Sequence, residues 1–240
     1  MFVMFILLLL IQLIVSGTRI QGSLRVYQGE NDTRKEFPFI VHVQSSTGVC
    51  SGSVIAEYWV LTAAHCFADM KEKQTNSPGE PYRIYIHPNY KKYAGLNDIA
   101  LIFSDTTPRV THAKLLALDS KTLFGLPVKY AGYGMTSKNY QINLLKQSEK
   151  QRYLVGNGII VPCLSRETEN SRLSSRYVMC VVAKCSKRHQ QARPGDSGGP
   201  LVYEGRIIGV ARSVESSLPI SHYTAVSPYL EWIQHILIET

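Results

Sequence analysis

Short apolar or alternating runs, separated by Gly, Pro, Asn and Ser, organise most of the chain after residue 25. They occupy residues 38–44, 51–66, 83–88, 98–104, 126–134, 177–182, 200–214 and 222–226. Many short strands without intervening helical patterns are typical of an antiparallel sandwich or barrel. After Pro228, apolar residues recur at helical spacing in residues 229–238. The pattern therefore predicts an all-β body followed by one amphipathic helix.

One stretch breaks this pattern. Residues 67–82 are polar, show no alternation and contain Pro78, Gly79 and Pro81. Gly and Pro punctuate regular structure, so we predict a surface loop here. No repeat or low-complexity linker divides the chain, and we expect one compact globular region.

The first residues form an apolar run, 2–15, interrupted only by Gln12. The run is short for a bilayer span and well sized for the core of a signal peptide, which predicts secretion. Small residues at Gly17 and Gly22 offer two cleavage sites, and both stay open. No Lys or Arg precedes the run, so an N-terminus retained in the membrane is the alternative.

The net charge of +8 does not by itself indicate a nucleic-acid partner. Basic residues are interleaved with acidic ones, and only residues 184–193 approach a cluster, which is typical of a solvated loop. A secreted basic protein fits heparin or an anionic cell surface better, although nothing in the composition requires either. We expect no nucleic-acid partner and no stable membrane association.

Five cysteines in a chain with a signal peptide fit an oxidising compartment. They predict two disulfides and one remaining thiol. In a secreted chain, Asn31-Asp32-Thr33 is also a candidate glycosylation site.

Three motifs carry candidate chemistry. His65 follows an apolar run in TAAHC, Asp98 begins one in NDIAL, and Ser197 lies within GDSGGP. A serine nucleophile needs a base to accept its proton, and the base needs an acid that fixes its tautomer and stabilises the imidazolium. Each residue alone has an ordinary structural explanation, but together they indicate a nucleophilic triad.

TAAHC, NDIAL and GDSGGP, in this order, resemble the signature motifs of the chymotrypsin/trypsin family of serine proteases. The similarity runs from about Val26 to Ile238 and includes the turn Gly132-Tyr133-Gly134 and the YLEWIQ helix. The resemblance implies two antiparallel β-barrels, each of six strands, with the triad in the cleft between them. It also implies a serine endopeptidase that works through an acyl-enzyme.

The resemblance assigns a role to each site residue. His65 is the general base and later the acid, Asp98 orients it, and Ser197 is the nucleophile. The backbone N–H groups of Gly195 and Ser197 form the oxyanion hole. This chemistry needs no metal or cofactor. The implied partners are protein or peptide substrates, an activating protease and protein protease inhibitors.

Residues around Arg25 resemble the family's activation junction. Cleavage after Arg25 frees the α-amine of Val26, which pairs with Asp196 in the interior and orders the oxyanion hole. The implied segments are a signal peptide, an activation peptide and a protease domain: 1–17, with 22 as the later end, then 18–25, then 26–240. The pair Tyr27-Gln28 departs from the family's glycine-rich version.

The resemblance also implies the disulfides Cys50–Cys66 and Cys163–Cys180, which leaves Cys185 either free or linked to another molecule. The family's bridge beside the reactive serine is missing, because Arg193 stands where its cysteine would lie.

The specificity pocket departs from the tryptic pattern. The residue six before the nucleophile is Gln191, which is uncharged and argues against Lys or Arg specificity. The pocket walls map to Val214 and Ser221, and the valine predicts a slot for small or medium apolar side chains.

Two further departures concern activity. Arg212 occupies the place of a serine beside the triad acid, where a guanidinium could compete with His65 for Asp98. The stretch after His65 has room for little more than one strand, so we expect an incomplete first barrel and no calcium site. The alternative function is therefore a homologue of low activity that acts as an extracellular binding or regulatory protein.

Overall fold

A computed structural model provides the structure of the protein. It describes residues 26–45, 48–68, 82–92, 95–107, 109–134, 153–163, 177–184, 190–214 and 219–239. The predicted signal and activation peptides, Arg25 and Cys185 lie outside these ranges. Among the described residues, no helix is both long and apolar enough to cross a membrane.

The first half of the chain forms one antiparallel sheet of five strands in the order β1-β2-β3-β5-β4. The strands are β1 (Ile40–Ser45), β2 (Gly48–Ala56), β3 (Trp59–Thr62), β4 (Tyr82–Ile86) and β5 (Ala100–Ser104). The sheet is not closed: among the described residues β1 pairs only with β2, and β4 only with β5. The expected incomplete first barrel is confirmed: within the described residues the first half has five strands in an open sheet, not the closed six-stranded barrel implied by the resemblance.

The second half forms a closed antiparallel barrel of six strands in the order β10-β11-β8-β7-β6-β9, and β9 closes it by pairing with β10. The strands are β6 (Pro127–Gly132), β7 (Leu154–Val161), β8 (Val178–Ala183), β9 (Pro200–Tyr203), β10 (Arg206–Val214) and β11 (Ile220–Ala225). Closure satisfies the backbone groups that an open sheet leaves at its edges. This half matches the architecture that the resemblance implied.

The predicted helix is present as α1 (Leu230–Glu239), and it follows a 3₁₀ turn at Ser227–Tyr229. Ile233 is buried, and Leu230, Ile236 and Leu237 pack partly buried against the same hydrophobic cluster. That cluster also holds the core of the first sheet. The helix therefore completes the core of the first half, although it follows the second half in the chain.

The segment before β1 shows the reverse arrangement: it precedes the first half in the chain but packs against the second half. Val26 is fully buried in the core of the second barrel, and Glu30 forms backbone hydrogen bonds with Val155 of β7. Asp32 accepts a hydrogen bond of 2.8 Å from the Tyr153 hydroxyl, which precedes the same strand. Each half is thus completed by a segment that adjoins the other half in sequence.

Candidate active site

His65 and Asp98 are brought together by the pairing of two interior strands. β3 ends at Thr62, which pairs with Ala100 of β5. His65 lies in the 3₁₀ turn just after β3, and Asp98 lies just before β5. The same end of the two strands therefore carries both side chains.

The His65–Asp98 pair has a fixed geometry. One carboxylate oxygen of Asp98 lies 2.7 Å from Nδ1 of His65, and the other accepts the backbone N–H of His65 at 2.8 Å. Asp98 is 2 % exposed, while the His65 side chain is 34 % exposed. A buried carboxylate at Nδ1 keeps the proton on that nitrogen, which leaves Nε2 able to accept one.

Ser197 lies at the seam between the sheet and the barrel. Its carbonyl oxygen accepts the backbone N–H of Ser51 on β2 at 2.7 Å and lies 4.0 Å from Sγ of Cys66, the residue after His65. Gly195 opens this turn with a φ of +97°, a conformation that favours glycine. The three predicted triad residues therefore lie in one partly accessible region.

Ser51 forms a clamp that sequence reasoning missed. Its buried hydroxyl donates to the carbonyl of Gly195 at 2.9 Å and accepts the backbone N–H of Tyr133 at 3.0 Å. Its own carbonyl accepts the Thr62 hydroxyl at 2.9 Å. One side chain of the first sheet thus holds the turn that carries Ser197. The only sequence signal was its place after Cys50, which gives no indication of these partners.

Asp196 is buried beneath this turn. Its two carboxylate oxygens accept the backbone N–H groups of Gly134 and Arg193, each at 2.7 Å. Burial raises the pKa of Asp196 to about 7, although these hydrogen bonds and the charge of Arg193 act to lower the pKa. A cation close to this carboxylate would offset the cost of its burial.

The three predicted pocket residues lie in one neighbourhood. Gln191 and Ser221 are buried, and the backbone N–H of Ala192 donates to the Ser221 hydroxyl at 3.2 Å. Val214 pairs with Ser221 across β10 and β11. Tyr223, two residues after Ser221, is fully buried, and its hydroxyl has no hydrogen-bond partner among the described residues. Sequence reasoning did not single out Tyr223.

Arg212 lies against the turn that precedes the triad acid. Its guanidinium packs against the backbone of Gly95, in the turn before Asp98, where a Cβ on Gly95 would overlap it. Both carboxylate oxygens of Asp98 meanwhile face His65. The charge of Arg212 also acts to lower the pKa of Tyr229, which burial raises.

Cys50–Cys66 and Cys163–Cys180 are disulfides, the pairs implied by the resemblance. Asn31 is exposed, as a glycosylated side chain must be. Cys50, Cys66 and His65 are the described ligand-type side chains that lie close enough together to hold a metal. Because the two sulfurs are joined to each other, they are not available as thiolates.

Comparison with known proteins agrees with this geometry. The family model described as Trypsin matches residues 26–233. The chain is 30 % identical to granzyme M of Homo sapiens, an alignment that covers 92 % of this chain and 90 % of that protein. It is also 30 % identical to mast cell protease 2 of Meriones unguiculatus, over 84 % and 86 % of the two chains.

Two solved structures share the fold. Scabies mite inactivated protease paralogue S-I1 superposes with a TM-score of 0.67 at 24 % identity, covering 88 % of this chain and 99 % of that chain. Paralogue S-D1 gives a TM-score of 0.66 at 22 % identity, over 88 % and 97 %. The ordered motifs, the shared architecture and the match over most of the chain lead to one conclusion: the chain belongs to the trypsin family of serine proteases.

Proposed function

We propose that the protein is a secreted serine endopeptidase that hydrolyses peptide bonds through an acyl-enzyme. The observation that carries this proposal is the buried Asp98 carboxylate at Nδ1 of a partly accessible His65. A family member without catalytic function has no need to bury a charge in order to orient an exposed imidazole. The cost of burying that charge supports a catalytic use.

A residue of this chain can be assigned to each step of the proposed reaction. The Ser197 hydroxyl attacks the substrate carbonyl while His65 accepts its proton at Nε2, and Asp98 stabilises the resulting imidazolium. The backbone N–H groups of Gly195 and Ser197 receive the oxyanion. His65 then protonates the leaving amine. In the second half of the reaction, His65 accepts a proton from water, which attacks the acyl-enzyme, and returns this proton to the Ser197 oxygen.

The proposed substrates are peptides with an uncharged residue before the scissile bond. Gln191 and Ser221 are buried and bear no charge at neutral pH, so a Lys or Arg side chain that enters beside them would lose hydration without gaining a counter-ion from either residue. The sequence has a valine at position 214 where a glycine would admit a large side chain. Small or medium apolar side chains are therefore favoured.

We further propose that the protein is made as a zymogen cleaved after Arg25. Two features support this. Val26 is already fully buried in the second barrel, and the buried Asp196 carboxylate has two backbone donors but a pKa raised by burial. The α-ammonium group of Val26 is the cation that would stabilise this carboxylate. A protease that cleaves after basic residues is the required activator, and protein inhibitors of serine proteases are expected partners.

Secretion is supported by the apolar run at residues 2–15 and by the two disulfides, which persist in oxidising compartments. Cleavage after Gly17 or Gly22 would leave a short activation peptide before Val26.

One observation favours a second function, a homologue of low activity used for binding or regulation. Arg212 packs a guanidinium on the turn that precedes the triad acid, at the place where the family has a small serine. If the Arg212 guanidinium offsets the negative charge of Asp98, Asp98 stabilises protonated His65 less strongly, and His65 becomes a weaker base. The protein would then keep the fold and its surfaces while turning over substrate slowly.

Labelling with a fluorophosphonate decides between the two functions. Residues 21–25 are replaced by the recognition sequence of a highly specific protease, so that cleavage produces a chain that begins at Val26, verified by mass spectrometry. We expect labelling of Ser197 in the cleaved protein and none in Ser197→Ala. Ser53→Ala is the matched control and keeps the label, since Ser53 is a buried serine of β2 outside the site. A cleaved, folded protein without label would establish the non-catalytic alternative.

A further inference from the structure

Two residues at which this chain departs from its family's pattern meet in space. Tyr27 lies where the activation segment is usually glycine-rich, and Arg193 lies where the family has a bridging cysteine. The Arg193 guanidinium carbon lies 4.8 Å from the centroid of the Tyr27 ring, within the range of a cation–π contact. A residue at the start of the protease domain thus contacts the loop that precedes the candidate nucleophile.

Both partners are held by their backbones. The N–H of Tyr27 donates to the carbonyl of Gln191 at 3.0 Å, and the N–H of Gln191 returns a hydrogen bond to Tyr27 at 3.4 Å. The N–H of Arg193 donates to Asp196. The stack therefore joins the residue after Val26 to the loop that contains both the pocket base and Gly195 of the oxyanion hole.

The Arg193 guanidinium relies on the tyrosine ring. Its Nε is buried and has no hydrogen-bond partner among the described residues, so the ring face is the contact that supports this part of the side chain. The positive charge also favours the ionised form of Asp196. Arg193 thus acts on the N-terminal segment through Tyr27 and on the buried acid through its charge.

We propose that the Tyr27–Arg193 stack is a positioning contact that holds the new N-terminal segment on residues 191–196 after cleavage, in place of the missing disulfide. Unlike a disulfide, the stack forms only when Tyr27 is docked. The order of the oxyanion loop is thereby made conditional on docking of the segment. This inference rests on the proposed activation after Arg25, and neither residue touches substrate.

The test measures how strongly the folded protein protects the α-amine of Val26 from chemical modification, and its readout does not depend on catalysis. The cleaved protein is treated with cyanate, which carbamylates accessible amines, and the modification of Val26 is followed by mass spectrometry. We expect Val26 to react much more slowly in the folded protein than in urea. Tyr27→Ala and Arg193→Met should each accelerate the reaction about fivefold, which corresponds to about 1 kcal/mol at 1.4 kcal/mol per factor of ten.

Three further variants keep the test specific. Tyr27→Phe retains the ring face and should stay within about twofold of the wild-type rate. The double variant Tyr27→Ala/Arg193→Met should react no faster than Arg193→Met alone, because Arg193→Met already removes both the stack and the positive charge beside Asp196. Arg206→Met, which removes another half-exposed arginine of the second barrel, should leave the rate unchanged.

The outcomes separate this inference from the proposed function. Faster carbamylation of Val26 in both single variants supports the stack, whether or not Ser197 is labelled by the fluorophosphonate. If Ser197 is not labelled, only the proposed activity fails. Variants that label less with fluorophosphonate but carbamylate at the wild-type rate would overturn the stack. Additive effects in the double variant, or an unprotected Val26 in the wild-type protein, would also overturn it.

Discussion

The two halves of the molecule depart from the family's pattern in opposite ways. The first half has lost the closure of its barrel, yet it keeps a disulfide between Cys50 of β2 and Cys66 beside the candidate base. The second half keeps all six strands in a closed barrel. It has no cysteine in residues 190–214, around the candidate nucleophile. Within the described residues, the first half has five strands in an open sheet, whereas the second half has a closed barrel but no disulfide beside its candidate nucleophile.

The difference shows which kind of support each site residue needs. β3 and β5, which lie next to His65 and Asp98, are interior strands that are paired on both sides. The edge strands of the open sheet, each paired on one side among the described residues, are β1 and β4. The turn of Ser197 lies just before β9 and is held by backbone hydrogen bonds to β2 and β10 together with side-chain contacts from Ser51, Asp196 and the Tyr27–Arg193 stack. The first half should therefore tolerate change at its edges, while the second half should respond to single side chains around its turn.

The largest expected effect concerns the way in which the open sheet positions His65 and Asp98. In serine protease triads, replacing the acid by asparagine reduces turnover about 10⁴-fold, because the histidine adopts the wrong tautomer. Asp98→Asn should slow fluorophosphonate labelling of the cleaved protein by a similar factor. Asp119→Asn, at the N-cap of a 3₁₀ turn, is the matched control and should label normally. A loss of less than tenfold in Asp98→Asn would mean that the first half no longer supports catalysis.

The next effect concerns the buried acid of the second half. Because burial raises the pKa of Asp196 to about 7 from 3.8, the folded state keeps a proton that the unfolded state releases above pH 4. The unfolding free energy of the uncleaved protein should fall between about pH 4 and pH 7, by up to about 1.4 kcal/mol per pH unit, and then level off. Denaturant titrations across this range measure the fall.

Two comparisons isolate the contribution of Asp196. The fall should be absent in Asp196→Asn, once the titration of other groups common to both proteins is subtracted. It should be smaller after cleavage, because the Val26 ammonium stabilises the carboxylate. Identical pH profiles before and after cleavage would show that Val26 and Asp196 do not interact.

The smallest effect compares two serines of one strand. Ser51→Ala leaves the Gly195 carbonyl and the Tyr133 N–H without their partner, and unsatisfied buried groups cost about 1–3 kcal/mol each. We expect a stability loss of about 2 kcal/mol and slower labelling of Ser197. Ser53→Ala removes an equally buried hydroxyl that has no described partner and should be neutral or stabilising. Equal stability changes in thermal or chemical unfolding would contradict the clamp.

Much of the fold was predictable because it follows from local patterns. Alternating runs indicated the strands, helical spacing indicated α1, and the short polar stretch after His65 indicated the incomplete first barrel. The motif order also indicated which residues to examine for a triad. Those motifs depend on residue types at fixed places in the chain, which a sequence displays directly.

The contacts around the nucleophile were not predictable in the same way. Ser51 meets Gly195 across a separation of 144 residues, and Tyr27 is still further from Arg193 in sequence. The sequence marked Tyr27 and Arg193 as departures but gave no reason to join them, because a stack depends on side-chain directions after folding. The direction of Arg212 was likewise undetermined until the turn at Gly95 was in place.

The exchange of segments between the halves affects how the chain folds during synthesis. The core of the first sheet includes Tyr229 and Ile233, and the Tyr229 hydroxyl bonds to Asn97 across 132 residues. At about 5–20 residues per second, a ribosome needs roughly ten seconds to make that interval. During this time the first half has two unpaired strand edges and an uncovered apolar surface. Its folding is therefore governed by late, long-range contacts, which makes it slow and exposes the nascent chain to association with other chains.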